Sequence, residues 1–502
     1  MIDPDTIARV MAGPLGGAIL LNQLDELFID VNYLARRLHR RSATAVSAAL
    51  LRRVEPKRTA ILLPAWREED VIERMLELNV SRIDFPRDRY VFFCGTYQND
   101  PATQARVDRA AARGWPVRKV VVPHAGPTSK ADCLNWIYQG VVLHERERGT
   151  RFDILLMHDA EDVIHPLALR LYSLLVPKHE FVQTPVFSLP LDASQVVAGT
   201  YIDEFAEHHL KELPVRQAIG GLIPSAGVGS AFERRAFEQI ALAHAQQPFD
   251  PASLTEDYEI GLRFRLARRR THFACYRIAA DPDDPEAPAR DDPIATREYF
   301  PDRFQASVRQ RSRWILGISL QTWESAGWQG PAAVRYCLWR DRKAVLTNAL
   351  LALSYALLAY VVVRVWTAGM TGASWSPARI VPAGGAIQAL LLVNLAGFLL
   401  RVGVKMGFVG RLYGARLATL CLPRLLVANV ISLAATARAV VTYLRHLVTG
   451  EPLRWVKTSH AFPSAEALAG GDAQAAGADD RGRAARSDGQ RVIPLVREAR
   501  RT

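Results

Sequence analysis

The chain has 502 residues, a formal net charge of +12 and an apolar fraction of 49%, which bounds it to one large soluble domain plus a membrane part. The hydrophobicity collects between about Ala344 and Tyr443, while residues 280–300 and 465–502 hold almost none. Basic residues stand in blocks beside apolar stretches, with no zinc-finger or stacking-platform pattern, so a membrane surface is expected and nucleic acid is excluded as a partner.

In chain order, Val10–Leu21 is an apolar run too short to cross a bilayer as a plain helix, and it lacks the basic leader of a secretory signal. Leu24, Leu27, Phe28, Val31, Leu34 and Leu38 follow at helical spacing, with Asp25, Glu26 and Asp30 on the other faces. The stretch ends in Arg36, Arg37, Arg40 and Arg41, so residues 1–45 are expected to form an N-terminal amphipathic helix. It would lie in the membrane interface or pack on the domain surface.

From about Arg58 to Cys275, strand candidates Ala60–Pro64, Tyr90–Gly95, Val117–Val122, Ile154–His158 and Phe181–Thr184 alternate with helical stretches. The helical stretches are Glu68–Val80, Pro101–Arg113, Lys130–His144 and Pro166–Leu175. This alternation predicts an α/β fold with a doubly wound, mostly parallel sheet, in a domain spanning residues 46–325. Ligands of such sheets sit at the carboxyl ends of the strands, where Trp66, Glu68, Asp100 and Asp159–Asp162 fall. Ala280–Asp292 reads as a surface loop, Phe304–Leu320 as a helix and Pro331–Lys343 as an amphipathic approach to the membrane.

Residues 326–450 form the interface helix and transmembrane region. Ala344–Trp366 is long enough at about 1.5 Å per residue to cover a hydrocarbon core of about 30 Å. Ala383–Leu400 is a second span, with Arg340, Arg342, Lys343, Arg401 and Lys405 marking cytoplasmic ends. Leu417–Tyr443 is interrupted by Pro423-Arg424 and has basic residues at both ends; a broken, re-entrant or interfacial helix is expected there, with a third span as the alternative. Residues 451–502 are expected to be a cytoplasmic tail, disordered after about 464. The five cysteines, Cys94, Cys133, Cys275, Cys337 and Cys421, show no CxxC pair, which argues against disulfides or structural zinc.

Three clusters carry chemistry. Asp159-Ala160-Glu161-Asp162 follows a strand, and carboxylates in such a turn are hard oxygen ligands for Mg²⁺ or Mn²⁺ bridging substrate phosphates; an acidic turn capping the next helix is the alternative. In Thr255-Glu256-Asp257, Asp257 is the candidate general base toward a hydroxyl and Glu256 a supporting residue, although carboxylates and a threonine cap also suit any helix N-terminus. In Gln310-Arg311-Ser312-Arg313-Trp314, helical spacing puts Gln310, Arg313 and Trp314 on one face. There Arg313 can hold a diphosphate and Trp314 can stack on a sugar ring, or the helix can anchor in a membrane interface. Trp66, Glu68 and Asp100 are candidates for a base and ribose, and Lys130 for phosphate. No GxxxxGK[ST] or GxGxxG motif follows a strand, so P-loop and dinucleotide readings lose support.

The order Pro64…Glu68, Asp100, Lys130, Asp159-x-Glu161, Thr255-Glu256-Asp257, Gln310-x-x-Arg313-Trp314 resembles the membrane-embedded family 2 glycosyltransferases, the group of cellulose and hyaluronan synthases. Several stretches resemble the bacteriophage adsorption protein B type within it: Leu24–Asp30, Tyr97–Pro101, His158–Asp162, Thr296–Pro301 and Trp455-x-Lys457-Thr458-x-His460-x-Phe462-Pro463. The resemblance implies a GT-A fold, a multi-pass bacterial inner-membrane protein with a cytoplasmic catalytic domain, and inverting transfer from a nucleotide sugar, usually a UDP-sugar, to an exopolysaccharide. It implies donor contacts at Pro64, Trp66, Glu68, Asp100, Lys130 and Asp159, and Mg²⁺ or Mn²⁺ at Asp159, Glu161 and Asp162. It further implies Asp257 as base, and Glu256, Gln310, Arg313 and Trp314 at the acceptor and diphosphate. Expected partners are the donor, a glycan or lipid-linked acceptor, inner-membrane lipids and an outer-membrane export partner.

Departures from the pattern are Glu161 in place of the second aspartate and Trp66-Arg67 in place of a tyrosine–asparagine pair. The polar tail stands where longer relatives carry a cyclic-dinucleotide-sensing domain, so that regulation is expected to be absent or supplied by a partner. Single-sugar transfer to a lipid carrier and a non-catalytic membrane scaffold or phage-receptor component are the alternatives.

Overall fold

Strands whose successive residues are nearly all apolar bury both faces of a sheet, and the central strands Thr59–Pro64 and Ile154–Met157 of this chain are built that way. The computed structural model describes residues 3–39, 45–279 and 290–453; Arg40, Arg41, most of the expected Ala280–Asp292 loop, the Trp455–Pro463 motif and the tail lie outside them. The sheet comprises β1 (Thr59–Pro64), β2 (Tyr90–Tyr97), β3 (Val117–Val122), β4 (Ile154–Met157), β5 (Phe181–Gln183), β6 (Ser230–Glu233) and β7 (Thr271–Phe273), in the order β3-β2-β1-β4-β6-β5-β7. Ile61, Leu63, Ile154 and Leu156 point into one core, and Ala60, Leu62, Leu155 and Met157 into the other.

Four of the six pairings are parallel; β6 runs antiparallel between β4 and β5. The sheet is therefore mixed on this side, because the short Ser-Ala-Phe-Glu segment returns from a glycine-rich turn instead of a crossover helix. Around the sheet lie α2 (Lys130–Arg148), α3 (Val196–Glu207), α4 (Glu256–Leu266) and α5 (Phe304–Trp314), followed by α6 (Ala332–Arg342).

Among the described residues, three helices are long and apolar enough to cross a membrane: Ala332–Thr371, which joins α6 to α7 (Ala344–Thr371), then α8 (Ala386–Tyr413) and α9 (Cys421–Thr449). The interruption expected at Pro423-Arg424 falls three residues earlier, at Leu420 between a short helix (Ala415–Thr419) and α9, and Pro423 occupies the first turn of α9, where a missing N–H breaks no intrahelical bond. Both ends of α9 are tied to residues that precede the membrane-length helices. Buried Arg424 pairs with Asp203 at 2.6 Å, and the Tyr443 hydroxyl donates to Glu324 at 3.2 Å.

The N-terminal segment is one continuous helix, α1 (Pro4–His39), whose apolar run and amphipathic stretch are fused. It packs closely on α8: a Cβ on Gly16 would lie 2.9 Å from Leu390, and Asn394 Nδ2 donates to the Gly16 carbonyl at 2.9 Å. Its acidic face turns onto protein. Asp25 pairs with Lys343 at 2.5 Å and with Arg340, Glu26 with Arg401 at 2.6 Å, and Asp30 with Lys211 at 2.5 Å.

Candidate active site

The carboxyl edge of the parallel strands delivers the first part of the site. After β1, the Trp66 ring stands edge-on to Tyr97 with centroids 5.1 Å apart, and the Arg67 guanidinium lies 5.2 Å from the Trp66 ring. A Cβ on Gly126 would meet the Trp66 ring at 2.7 Å, so glycine is needed for that close approach. Lys130 opens α2 behind Ser129, whose hydroxyl accepts from the Asp132 N–H at 3.2 Å.

Lys130 and Asp159 then meet across the edge. The ammonium lies 2.6 Å from Asp159 Oδ1, 2.8 Å from Oδ2, and 3.9 Å from Glu256 Oε1. Burial alone would lower the Lys130 pKa, but Asp159, Glu256 and Asp257 outweigh it and hold the ammonium above its ordinary value.

The second part comes from α4 and α5. Thr255 takes the N-cap position of α4 without a capping bond from its hydroxyl. It packs instead on the chain after α5, where a Cβ on Gly317 would lie 2.5 Å from Thr255 Oγ1. Glu256 is 2% exposed, and neither carboxylate oxygen has a hydrogen-bond partner. Burial pushes its carboxyl up to about 7, helped by Asp257 and opposed by Lys130 and Arg313. Burial also raises Asp257, against the pull of Lys130. Gln310 Oε1 and Arg313 Nε are likewise buried without partners, and Arg313 Nη1 donates to the Leu254 carbonyl at 3.3 Å. Such orphaned polar atoms lining a cleft are sites that a polar ligand can satisfy.

One cavity of about 740 Å³ joins these parts. Pro64, Trp66, Glu68, Lys130, Asp159 and Glu161 line it, as do Glu256, Asp257, Gln310, Arg313 and Trp314. Residues separated by long stretches of sequence thus face a shared space. Asp159 and Glu161 are two carboxylates, a donor set suited to a divalent ion completed by substrate phosphates. Among the described residues, no group of three or more His, Cys, Asp or Glu could hold a metal ion without such help.

Two expected residues do not line the cavity. Asp162 was expected as a metal ligand, but its buried carboxylate turns inward, accepting from the Asp159 N–H at 3.0 Å and lying 2.6 Å from His158 Nδ1. Burial favours the neutral form of each partner, lowering His158 to about 3 and raising Asp162. Asp100 was expected to touch the donor. Its oxygens accept from the Arg67 N–H at 2.6 Å and the Thr103 N–H at 3.3 Å, so it caps the next helix and holds the Trp66 loop.

Other contributors escaped the sequence reading. Gln183, at the end of β5, accepts from the Ala226 N–H at 2.9 Å and the Ser230 hydroxyl at 2.6 Å, holding the turn that brings Gly227 to Asp257. The Gly227-Val228-Gly229 turn was its available signal. From the membrane helices, Thr347, Asn348, Arg401, Lys405, Asn429 and Ser432 also line the cavity; polar residues inside apolar helices were the clue.

Residues 56–317 match the family described as glycosyltransferase like family 2. The chain is 36% identical over 469 residues to bacteriophage adsorption protein B of Escherichia coli strain K12, covering 91% of this chain and 62% of that relative. The same values hold for bacteriophage N4 adsorption protein B of Escherichia coli O157:H7. The chain therefore spans 62% of the length of these curated relatives. Among solved structures, a mannosyltransferase from Pyrobaculum calidifontis in complex with GDP-Man and Mn²⁺ aligns over 83% of this chain and 99% of its own, at 17% identity and a TM-score of 0.47. The domain is a GT-A-like mixed parallel sheet joined to membrane-length helices. The chain belongs to glycosyltransferase family 2.

Proposed function

We propose that this protein is an inner-membrane, inverting glycosyltransferase that moves a sugar from a nucleotide sugar, a UDP-sugar such as a UDP-N-acetylhexosamine, to a growing exopolysaccharide, with the catalytic domain cytoplasmic. The observation that carries the reading is the single cavity facing Lys130, Asp159, Asp257 and Trp314 together. Pro64, Trp66 and Glu68 cradle the base and ribose, and Lys130 draws in the diphosphate. Asp159 and Glu161 would hold Mg²⁺ or Mn²⁺, which when bound neutralises charge growing on the departing diphosphate. Asp257 accepts the proton of the acceptor hydroxyl as that oxygen bonds to the anomeric carbon and the carbon–diphosphate bond breaks on the opposite face. Gln310, Arg313 and Trp314 hold the acceptor and the leaving diphosphate, and Glu256 supports the acceptor side.

The test is a donor screen of purified protein, reading nucleoside diphosphate release with and without Mg²⁺ or Mn²⁺. Metal-stimulated release from one donor is expected; no release from any donor sinks the reading.

Transfer of one sugar to a lipid carrier is a second reading, favoured by the share of the cavity wall that α7 and α9 supply. Labelled donor with acceptor polymer separates the two, because products of uniform single-sugar size reject the polymerase.

A further inference from the structure

Asp341 sits in the last turn of α6, immediately before the membrane-length helix α7, and its side chain is 12% exposed. It touches both helices that carry the catalytic machinery. Its Oδ2 accepts from the Tyr258 hydroxyl at 2.7 Å, and Tyr258 directly follows Asp257 in α4. Its backbone carbonyl accepts from the Ser319 hydroxyl at 3.0 Å, in the π-type turn that continues α5 beyond Trp314. One residue at the membrane entry thereby links the base-bearing helix to the helix of the Gln-x-x-Arg-Trp pattern.

The same two segments are clamped again further along. Gln321 accepts from the Leu254 N–H at 2.9 Å and donates to the Ala252 carbonyl at 2.8 Å. The Thr255–Gly317 contact leaves no room for a larger residue between them.

Asp341 is itself held by charge. Arg216, 2% exposed, grips it with Nη1 at 3.0 Å and Nη2 at 2.5 Å, and reaches Glu212 at 2.6 Å with the same guanidinium. Glu212 accepts from Arg340 Nε at 3.3 Å, and Arg340 closes on Asp25 and Glu26 of α1. A buried ionic chain therefore runs from α1 through α6 to the residue beside Asp257. Buried charge pairs of this kind do little for net stability, and fixing one geometry among several is their best-supported use.

We infer that Asp341 is a positioning residue for sugar transfer, setting Asp257 against Trp314 by way of Tyr258 and Ser319, with Arg216, Glu212, Arg340 and the acidic face of α1 holding it in place. The inference rests on the reading of Asp257 as the base. Tyr258, Ser319 and Asp341 border the same cavity, but the polar contacts of Asp341 run to Tyr258, Arg216 and Ser319 and not to Lys130 or Asp159, so its effect is expected on turnover.

The test uses the full chain in detergent or nanodiscs, with the nucleotide sugar that gives release in the donor screen. Tyr258→Phe deletes one hydroxyl; Asp341→Asn keeps an acceptor for Tyr258 but removes the charge that Arg216 needs. Both are expected to lower kcat for transfer about tenfold while changing donor KM and nucleoside diphosphate affinity by less than about twofold, since small misplacements of reacting groups cost turnover steeply. Asp341→Glu is expected to recover part of the lost kcat. Wild-type kcat in Tyr258→Phe overturns the inference, as does an equal loss of nucleotide affinity, which would mark a merely structural role. Should Asp341→Asn fail to fold, Tyr258→Phe decides alone. Asp257→Asn run in parallel distinguishes the two failures. Full transfer by Asp257→Asn removes the base reading and this inference together, whereas an inactive Asp257→Asn beside a normal Tyr258→Phe removes this inference only.

Discussion

Gly227 faces Asp257 so closely that a Cβ on it would lie 2.8 Å from Asp257 Oδ2, and its φ of +79° is one that side chains disfavour. Gly227→Ala should therefore cost about 1–2 kcal/mol in backbone conformation and displace the Asp257 carboxylate. Thermal unfolding in detergent is expected to show a modest loss of stability, with nucleoside diphosphate release falling about 10²-fold. Unchanged release would mean that this carboxylate position is unimportant to turnover.

Asp257→Asn keeps the size of the side chain and removes the proton acceptor. Transfer should fall by about 10²–10⁴-fold while nucleotide binding, followed by calorimetry, stays near wild type. Unchanged glycan output from the variant in cells would favour a scaffold whose acidic residues are relics.

Lys130→Met should weaken donor binding. The ammonium balances Asp159 and Glu256 at 2.6 and 3.9 Å, and without it the donor diphosphate would enter a cleft of uncompensated carboxylates. Removing one partner of a buried pair leaves the other charge exposed to the desolvation cost, so donor KM should rise more than about tenfold. A KM unchanged in Lys130→Met would place the diphosphate elsewhere.

Glu256 makes stability depend on pH. Its carboxyl in the folded protein titrates at about 7 against an ordinary 4.5, chiefly because it is buried. The folded state holds a proton that the unfolded chain releases, so this contribution is full below 4.5 and is lost as pH rises through about 7. Melting temperatures of wild type and Glu256→Gln should diverge across that interval, with the variant flatter. Parallel profiles would show that Glu256 is ionised throughout.

Asp203→Asn should destabilise the junction between α3 and α9. Arg424 is 3% exposed and binds Asp203 through two nitrogens at 2.6 and 2.9 Å, and breaking such a buried pair costs about 3–5 kcal/mol. Asp203→Leu combined with Arg424→Met should recover much of that loss. A melting temperature equal to wild type in the single variant would show that the pair is solvated.

The first four strands were legible because Thr59–Pro64, Tyr90–Tyr97 and Ile154–Met157 are largely apolar runs and Val117–Val122 is rich in β-branched valine. Their carboxyl edge led directly to Trp66, Lys130 and Asp159. The strand Ser230–Glu233 was not legible, since four residues with one large apolar side chain carry no period and gain their pairing only from neighbours on both sides. Asp162 was misplaced for a related reason: sequence shows three acidic residues in a row of four but not which of them a buried His158 draws inward. The segment Leu417–Tyr443 was expected to be interrupted at Pro423, and the interruption lies at Leu420 instead, because a proline is accommodated within the first turn of the helix that follows. Asp25 and Glu26 read as the wet face of a surface helix, because their basic partners lie more than three hundred positions away.

That long-range pairing means the sheet-bearing domain cannot be separated from α1 and the membrane-length helices without consequence. Cutting away the first helix would take the Asp25 carboxylate from Lys343 and Arg340 and Glu26 from Arg401, with Glu212 left to Arg340 and Glu207, at 3.6 Å, to Arg401. A truncated catalytic fragment would then also lack the counter-charges that Arg216 and Glu212 meet through α6. Pieces lacking these helices would consequently sample looser arrangements of the Asp257 helix, so properties measured on such pieces would differ from those of the chain that keeps them.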